Sequence, residues 1–205
     1  MPDKKWIWIS GWGICPNRFK AAAEQALPHY IHHVLAPTPD AFETALNGNA
    51  GSIGGYSLGS LILLSELSRI PETAEVICLA PFISFCKEQQ LGGKTTAATL
   101  GRLQQRLKTQ PDKTLRLFYR LADLNDEPVD GLPYELEHLE WGLKQLACLK
   151  ANIALLHRAK GFVGSVDPLI NHTVLQSKWK NCRIISKNCG HNYYNLLIAL
   201  KNLFS

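Results

Sequence analysis

The stretch Ser52-Ile53-Gly54-Gly55-Tyr56-Ser57-Leu58-Gly59 contains the pattern Gly-x-Ser-x-Gly. This pattern lies between a short predicted strand (52–54) and a long apolar predicted helix. A strand that passes directly into a helix makes a sharp turn, and glycines two residues on either side of Ser57 relieve its crowding. Such a turn exposes the serine oxygen above the sheet, at the positive end of the following helix. The pattern predicts a nucleophilic serine. The alternative is a glycine-rich turn with an incidental serine.

Strand-like and helix-like patterns alternate on both sides of a central segment. The predicted strands cover 5–10, 30–35, 52–54, 75–80, 152–157 and 183–186, and the predicted helices cover 17–27, Asp40 to about Gly48, 58–70 and 191–204. Such alternation predicts an α/β fold in which a mostly parallel sheet is flanked by helices. Residues 1–81 and 151–205 would form this core. Residues 82–150 have helical spacing without an obvious strand, which predicts an inserted helical lid.

Length and composition limit the class of protein. The chain has 205 residues, of which 46% are apolar, enough for one domain with an inserted sub-domain. No apolar run approaches the ~18 residues of a membrane span, and the N-terminal segment lacks a signal-peptide pattern. The six cysteines contain no CxxC pair, which gives little support to a zinc site or a redox motif. Neither a metal nor a cofactor is expected. We therefore expect a monomeric cytoplasmic protein.

Charge is unevenly distributed over the lid. Residues 87–120 contain eight Lys or Arg and two acidic residues, whereas residues 121–144 contain one Lys and seven acidic residues. Lys113, Arg116 and Arg120 recur at helical spacing, so they could bind an acidic partner or form an ordinary solvated face. The basic segment lacks interleaved exposed aromatics and a recognisable nucleic-acid-binding module, so nucleic acid is not an expected partner.

A serine nucleophile needs a base and a group that orients the base. His191 is the candidate base because it follows the last predicted strand and precedes the last helix. The other histidines are placed less well: His29, His32 and His33 precede the serine, His138 lies in the lid, His157 in a predicted strand and His172 in a helix.

Asp167 is the candidate orienting acid, because it lies in a loop (161–170) after the predicted strand 152–157. The alternative is an ordinary loop aspartate before a proline. Three further aspartates belong to the lid and would be badly placed: Asp123, Asp126 and Asp130.

The negative charge that develops on an attacked carbonyl oxygen needs two backbone N–H donors. The residue after the nucleophile, Leu58, offers one. The loop Gly11-Trp12-Gly13 after the first strand offers the other from Trp12, since its glycines allow close approach to a substrate. A tight turn that simply ends the strand is the alternative.

Several of these segments resemble the pimeloyl-acyl-carrier-protein methyl ester esterases of biotin synthesis, which have an α/β-hydrolase fold. The resemblance is carried by the blocks 10–13, 55–59, 80–84, 103–107, 114–121 and 142–150. The family usually has a histidine where this chain has Ser10, which leaves the backbone donor at Trp12 intact.

The resemblance implies a serine carboxylesterase without a cofactor, which hydrolyses a methyl ester on an acyl chain carried by acyl carrier protein. Ser57, His191 and Asp167 would form the catalytic triad, and Trp12 and Leu58 the oxyanion hole. The residues that would bind substrate or carrier are Lys113, Arg116, Phe118 and Arg120. Two alternatives remain: a carboxylesterase or thioesterase for small substrates, and a non-catalytic binding module with the same fold.

Overall fold

The computed structural model describes residues 5–124, 127, 131–179 and 184–204, with no side-chain description at 203 and 204. The strands are β1 (Lys5–Ile9), β2 (Ile31–Leu35), β3 (Ser52–Tyr56), β4 (Glu75–Leu79), β5 (Ser84–Cys86), β6 (Gly92–Thr95), β7 (Ala159–Gly164) and β8 (Ile184–Lys187). The α-helices are α1 (Pro16–Ala26), α2 (Ala41–Asn47), α3 (Leu58–Ser65), α4 (Ala97–Leu107), α5 (Pro111–Leu121), α6 (Leu136–Cys148), α7 (His172–Lys178) and α8 (Tyr193–Phe204).

The main sheet has six parallel strands in the order β2-β1-β3-β4-β7-β8. Strand β1 is apolar from Trp6 to Ile9 and buried on both faces, as expected for a central parallel strand. The chain continues outward from β1 to β2 and then returns to β3 on the other side of β1. The loops after β1 and β3 therefore meet at a point where strand order reverses, the usual location of a ligand site in such sheets.

Helices flank this sheet, and the predicted α/β class with a mostly parallel sheet is confirmed. Helices α1 and α8 pack against each other, while α3 packs against β1, β3 and β4. The helix predicted over 58–70 ends earlier, at Ser65, and a 3₁₀ helix (Leu67–Arg69) follows. The last helix begins at Tyr193, so His191 lies in the loop before it. No helix among the described residues is both long and apolar enough to cross a membrane.

The strand predicted over 152–157 is wrong. Residues Ile153–Arg158 form a 3₁₀ helix, and the strand is β7, which directly follows it. The side chain of Asn152 caps this 3₁₀ helix by accepting a hydrogen bond from the N–H of Ala154. His157 is exposed on it rather than buried in a sheet. The strand predicted over 183–186 is observed as β8; Arg183 lies outside the described residues.

The segment 82–150 contains the amphipathic helices α4, α5 and α6, each of which buries an apolar face that includes one or more leucines. It also contains a two-stranded parallel sheet, β5-β6, where no strand was expected. These strands are three and four residues long, too short for a recognisable alternation. The division into a core and a lid at residues 82 and 150 stays a prediction.

Candidate active site

Ser57 lies in the turn between β3 and α3 with φ 53° and ψ −111°, a conformation that is unfavourable for a residue with a side chain. Two close backbone approaches explain the flanking glycines. A Cβ on Gly59 would lie 2.0 Å from the carbonyl oxygen of Ile9, and a Cβ on Gly55 would lie 2.6 Å from the backbone of Gly59. The turn therefore holds Ser57 in a strained conformation of the kind found at functional sites.

His191 approaches this serine from the loop between β8 and α8. Its Nε2 lies 3.0 Å from the Oγ of Ser57. The hydroxyl of Tyr56 donates a hydrogen bond of 2.8 Å to the backbone oxygen of His191 and thereby holds the loop against β3. The imidazole is 1% exposed. Ser57 and His191 are thus within the distance that proton transfer requires.

Asp167 lies behind the histidine and is fully buried. Its Oδ2 is 2.7 Å from the Nδ1 of His191, while its Oδ1 accepts hydrogen bonds from the N–H groups of Leu169 (2.8 Å) and Ile170 (3.1 Å). The tautomer of His191 with its proton on Nδ1 donates a hydrogen bond to Oδ2 of Asp167. The lone pair of Nε2 then faces the hydroxyl of Ser57, as a general base requires.

The loop that carries Asp167 is hydrogen-bonded to β6, a strand that was not predicted from the sequence. The Nζ of Lys94 donates a hydrogen bond of 2.7 Å to the backbone oxygen of Asp167. The N–H of Lys94 donates to the carbonyl of Leu169, and Gly93 pairs with Ile170 in an antiparallel bridge. Strand β6 therefore helps to fix the position of the acid.

The remaining histidines and aspartates occupy other places. His29, His33 and His157 are exposed, His138 and His172 are half-buried, and His32 is buried on β2 beside Trp8. Asp123 is nearer to the site than expected, since a Cβ on Gly190 would lie 3.3 Å from its Oδ2, but the carboxylate that contacts His191 is that of Asp167. Asp126 and Asp130 lie outside the described residues.

The loop after β1 lies directly against the serine. A Cβ on Gly11 would lie 3.3 Å from the Cβ of Ser57. Within this loop the N–H of Gly13 donates to the hydroxyl of Tyr134, and the N–H of Ile14 donates to the carbonyl of Gly11. In the part of the chain that the structure describes, no group accepts a hydrogen bond from the backbone N–H of Trp12 or of Leu58. The assignment of these two donors to an oxyanion hole stays a prediction.

The four residues expected to bind substrate or carrier lie on two faces of α5. Lys113, Arg116 and Arg120 are exposed. Phe118 is buried, and its ring packs edge-to-face on the indole of Trp12 with the ring centroids 4.7 Å apart. Phe118 therefore does not share the exposed face of the three cations, because its ring fills the interface between α5 and the Trp12 loop. Its assignment to substrate or carrier binding stays a prediction.

Tyr119 and Tyr134 are the residues near the site that sequence reasoning missed. Both make hydrogen bonds to the backbone of Gly13, across 106 and 121 residues of chain. A contact at such a separation leaves no local pattern in the sequence.

Comparison with known proteins identifies the fold of the chain but does not assign it to a family. No protein-family model matches the chain, and no curated protein matches it significantly. Among solved structures, a lipase-esterase related protein from Clostridium acetobutylicum aligns with a TM-score of 0.65 at 14% identity, over 98% of this chain and 92% of that one. N-formylmaleamic acid deformylase from Pseudomonas putida S16 aligns with a TM-score of 0.64 at 11% identity, over 98% and 91%.

A pyrethroid hydrolase aligns with a TM-score of 0.57 at 15% identity, over 98% of this chain and 96% of that one. These alignments extend over the sheet, its helices and residues 82–150 alike, because nearly the whole of both chains is covered. The parallel six-stranded sheet and its flanking helices agree with this similarity. The chain therefore has the α/β-hydrolase fold.

Proposed function

We propose that the protein is a serine hydrolase that cleaves carboxylic esters, with Ser57 as nucleophile. One observation carries this proposal: the buried chain of hydrogen bonds from Ser57 through His191 to Asp167. A serine hydroxyl is a weak nucleophile, and this arrangement supplies both a base and the group that orients the base. The names of two similar structures, a lipase-esterase related protein and a pyrethroid hydrolase, are consistent with this class of reaction.

The reaction follows from the positions of these groups. The Oγ of Ser57 attacks the ester carbonyl carbon while its proton passes to the Nε2 of His191. The backbone N–H groups of Trp12 and Leu58 donate to the oxyanion that forms. His191 returns the proton to the departing alcohol, which leaves an acyl-enzyme. Water then attacks the acyl carbon with His191 as base, and the acid is released as Ser57 recovers its proton.

Hydrolysis of p-nitrophenyl acetate tests the enzymatic proposal against a non-catalytic binding module. We expect turnover by the native protein and a loss of roughly 10⁴-fold or more in kcat for Ser57→Ala. Ser68→Ala is a matched control, because Ser68 is exposed on the 3₁₀ helix after α3. Rates for the native protein and Ser57→Ala that both equal uncatalysed hydrolysis would favour the binding module, and equal rates above it would contradict Ser57 as nucleophile.

For the substrate we propose the methyl ester of pimeloyl-acyl carrier protein, or a close relative of it. The support is the exposed cationic face of α5, formed by Lys113, Arg116 and Arg120. Phe118, on the opposite face of that helix, touches Trp12. An acidic carrier bound to α5 would therefore sit on the helix that backs the proposed oxyanion loop, and opposite charges favour such an encounter.

Charge reversal on α5 distinguishes the carrier-linked methyl ester from a small ester or thioester as the substrate. We expect Lys113→Glu combined with Arg120→Glu to lower kcat/KM for the carrier-linked methyl ester by about tenfold or more, and to leave p-nitrophenyl acetate hydrolysis unchanged. Lys178→Glu is a matched control on α7. Equal losses on both substrates, or none, would leave a carboxylesterase or thioesterase for small substrates as the better proposal.

Genetic complementation provides a second test of the substrate. We expect the gene to restore biotin-independent growth to a strain that lacks its own pimeloyl ester esterase, and the Ser57→Ala gene to fail. Failure of the native gene, together with active hydrolysis of small esters by the purified protein, would exclude the carrier-linked methyl ester.

A further inference from the structure

Gly13, in the loop after β1, is held by two tyrosines of the inserted segment. Its N–H donates a hydrogen bond of 2.8 Å to the hydroxyl of Tyr134, and its carbonyl accepts a hydrogen bond of 2.5 Å from the hydroxyl of Tyr119. These two backbone groups belong to the peptide planes on either side of Gly13. Both planes are therefore fixed at a residue whose φ of +74° suits glycine.

The neighbouring Trp12 is held by the same segment. Its indole Nε1 donates a hydrogen bond of 2.8 Å to the carbonyl of Leu139 on α6. Gly142, one turn further along α6, leaves room for the indole, since a Cβ there would lie 2.7 Å from the Trp12 ring. The ring of Phe118 packs edge-to-face on the same indole. The backbone of Gly13 and the side chain of Trp12 are thus held in place by residues of α5, of α6 and of the segment between these helices.

We propose that Tyr134 and Tyr119 are positioning residues, which orient the Trp12 N–H toward the oxyanion formed on Ser57. They hold the peptide planes on either side of Gly13, and the Ile14 N–H on the second plane bonds to the Gly11 carbonyl, which lies in the same peptide plane as the Trp12 N–H. This inference rests on the proposed esterase function. It makes the inserted segment a structural part of the catalytic machinery, because the loop after β1 receives these hydrogen bonds from the insert rather than from the sheet.

The burial of the two phenols and the hydrogen bonds of the neighbouring amides agree with this role. Burial raises the pKa of both phenols, so each hydroxyl keeps its proton at ordinary pH. Among the described residues, the N–H of Gly13 and of Ile14 both have acceptors, which leaves Trp12 as the donor of these three consecutive residues that is available to a substrate. A loop rotated about Gly13 would move this donor, and a displacement of about 1 Å in such a site costs up to roughly 10²-fold in rate.

The test combines kinetics with a measurement that does not depend on activity. For Tyr134→Phe and Tyr119→Phe, we expect kcat on p-nitrophenyl acetate to fall about tenfold, with KM within about twofold, because the lost contacts act on the transition state. Tyr194→Phe is the matched control, since Tyr194 is exposed on α8. Unchanged kcat, or a loss confined to KM, in a folded variant would overturn the inference.

Hydrogen exchange of the Gly13 amide, followed by NMR, is the second measurement. We expect exchange to be faster in Tyr134→Phe than in the native protein and unchanged in Tyr194→Phe. Equal exchange in all three proteins would also overturn the inference, whether or not the protein is active. If the native protein neither turns over esters nor is inhibited by reagents for active serines, the proposed function itself fails, and the exchange result still decides whether Tyr134 fixes the loop.

Discussion

The Nε2 of His191 lies 3.0 Å from the Oγ of Ser57, although 134 residues separate them in the chain. The two residues follow β8 and β3, and all strands of the main sheet run parallel. Their carboxyl ends therefore share one edge, where the loops after different strands meet. Asp167, after β7, lies at the same edge. The topology of the sheet accounts for a hydrogen-bonded chain assembled from three distant segments.

Replacement of Asp167 by asparagine should remove most of the activity without unfolding the protein. The Oδ1 of the new amide can still accept from Leu169 and Ile170, which turns the NH₂ group toward the Nδ1 of His191. His191 then carries its proton on Nε2 and cannot act as base for Ser57. We expect kcat/KM on p-nitrophenyl acetate to fall roughly 10³–10⁴-fold.

The matched control is Asp112→Asn, because Asp112 is exposed on α5. It should retain native activity. Native activity in Asp167→Asn would mean that another group orients His191.

Replacement of Gly59 by alanine should destabilise the protein despite the helical propensity of alanine. The added Cβ would lie 2.0 Å from the carbonyl oxygen of Ile9, so β1 and α3 would have to separate. We expect a loss of about 1–3 kcal/mol in the free energy of unfolding, measured with urea. Gly101→Ala on α4 meets nothing within 4 Å and should stabilise by up to ~1 kcal/mol. Unchanged or increased stability of Gly59→Ala would contradict the close packing of the turn.

His32 should make stability depend on pH. Its imidazole is buried, accepts a hydrogen bond from the Nε1 of Trp8 and donates one to the carbonyl of Leu27. Burial lowers the pKa of His32 below the ordinary value of 6.5. As pH falls below 6.5, the unfolded chain therefore binds this proton before the folded protein does, so the free energy of unfolding decreases.

His32→Phe removes this titration. We expect it to be less stable than the native protein at pH 8, because the Trp8 N–H loses its acceptor, yet to lose less of its stability between pH 7 and pH 5. Urea unfolding at a series of pH values provides the comparison. If the free energies of unfolding of the two proteins change with pH in parallel, His32 does not contribute to the pH dependence of stability.

The parts of the fold that the sequence predicted are those with a strong local pattern. The apolar run at β1 and the glycine spacing around Ser57 identify the central strands and the turn. The loops that carry Asp167 and His191 could be assigned because their order along the chain and their place after strands limited the choice. Their positions in the chain, rather than its overall composition, distinguish these residues.

The errors arise where contacts distant in sequence decide the structure. Strand β7 (Ala159–Gly164) contains two glycines and a lysine, a poor strand pattern, whereas the preceding apolar residues look more like a strand. It forms because β4 and β8 pair with it on either side. Gly161 lies where a Cβ would meet Pro81, Trp179 and Ile184 at 3.2–3.4 Å. The same reason applies to strands β5 and β6 and to the two tyrosines that bind Gly13. Their contacts are with residues far away in the sequence, which a short stretch of sequence does not reveal.

Covalent labelling with a fluorophosphonate, located by mass spectrometry, tests the central claim most directly. The reagent reacts with serines that an adjacent base activates, so it reports the chemistry of Ser57 without assuming a substrate. We predict one adduct on the native protein, on the peptide that contains Ser57, and none on Ser57→Ala. Absence of labelling on the folded native protein, or labelling that persists in Ser57→Ala, would contradict the assignment of Ser57 as the nucleophile.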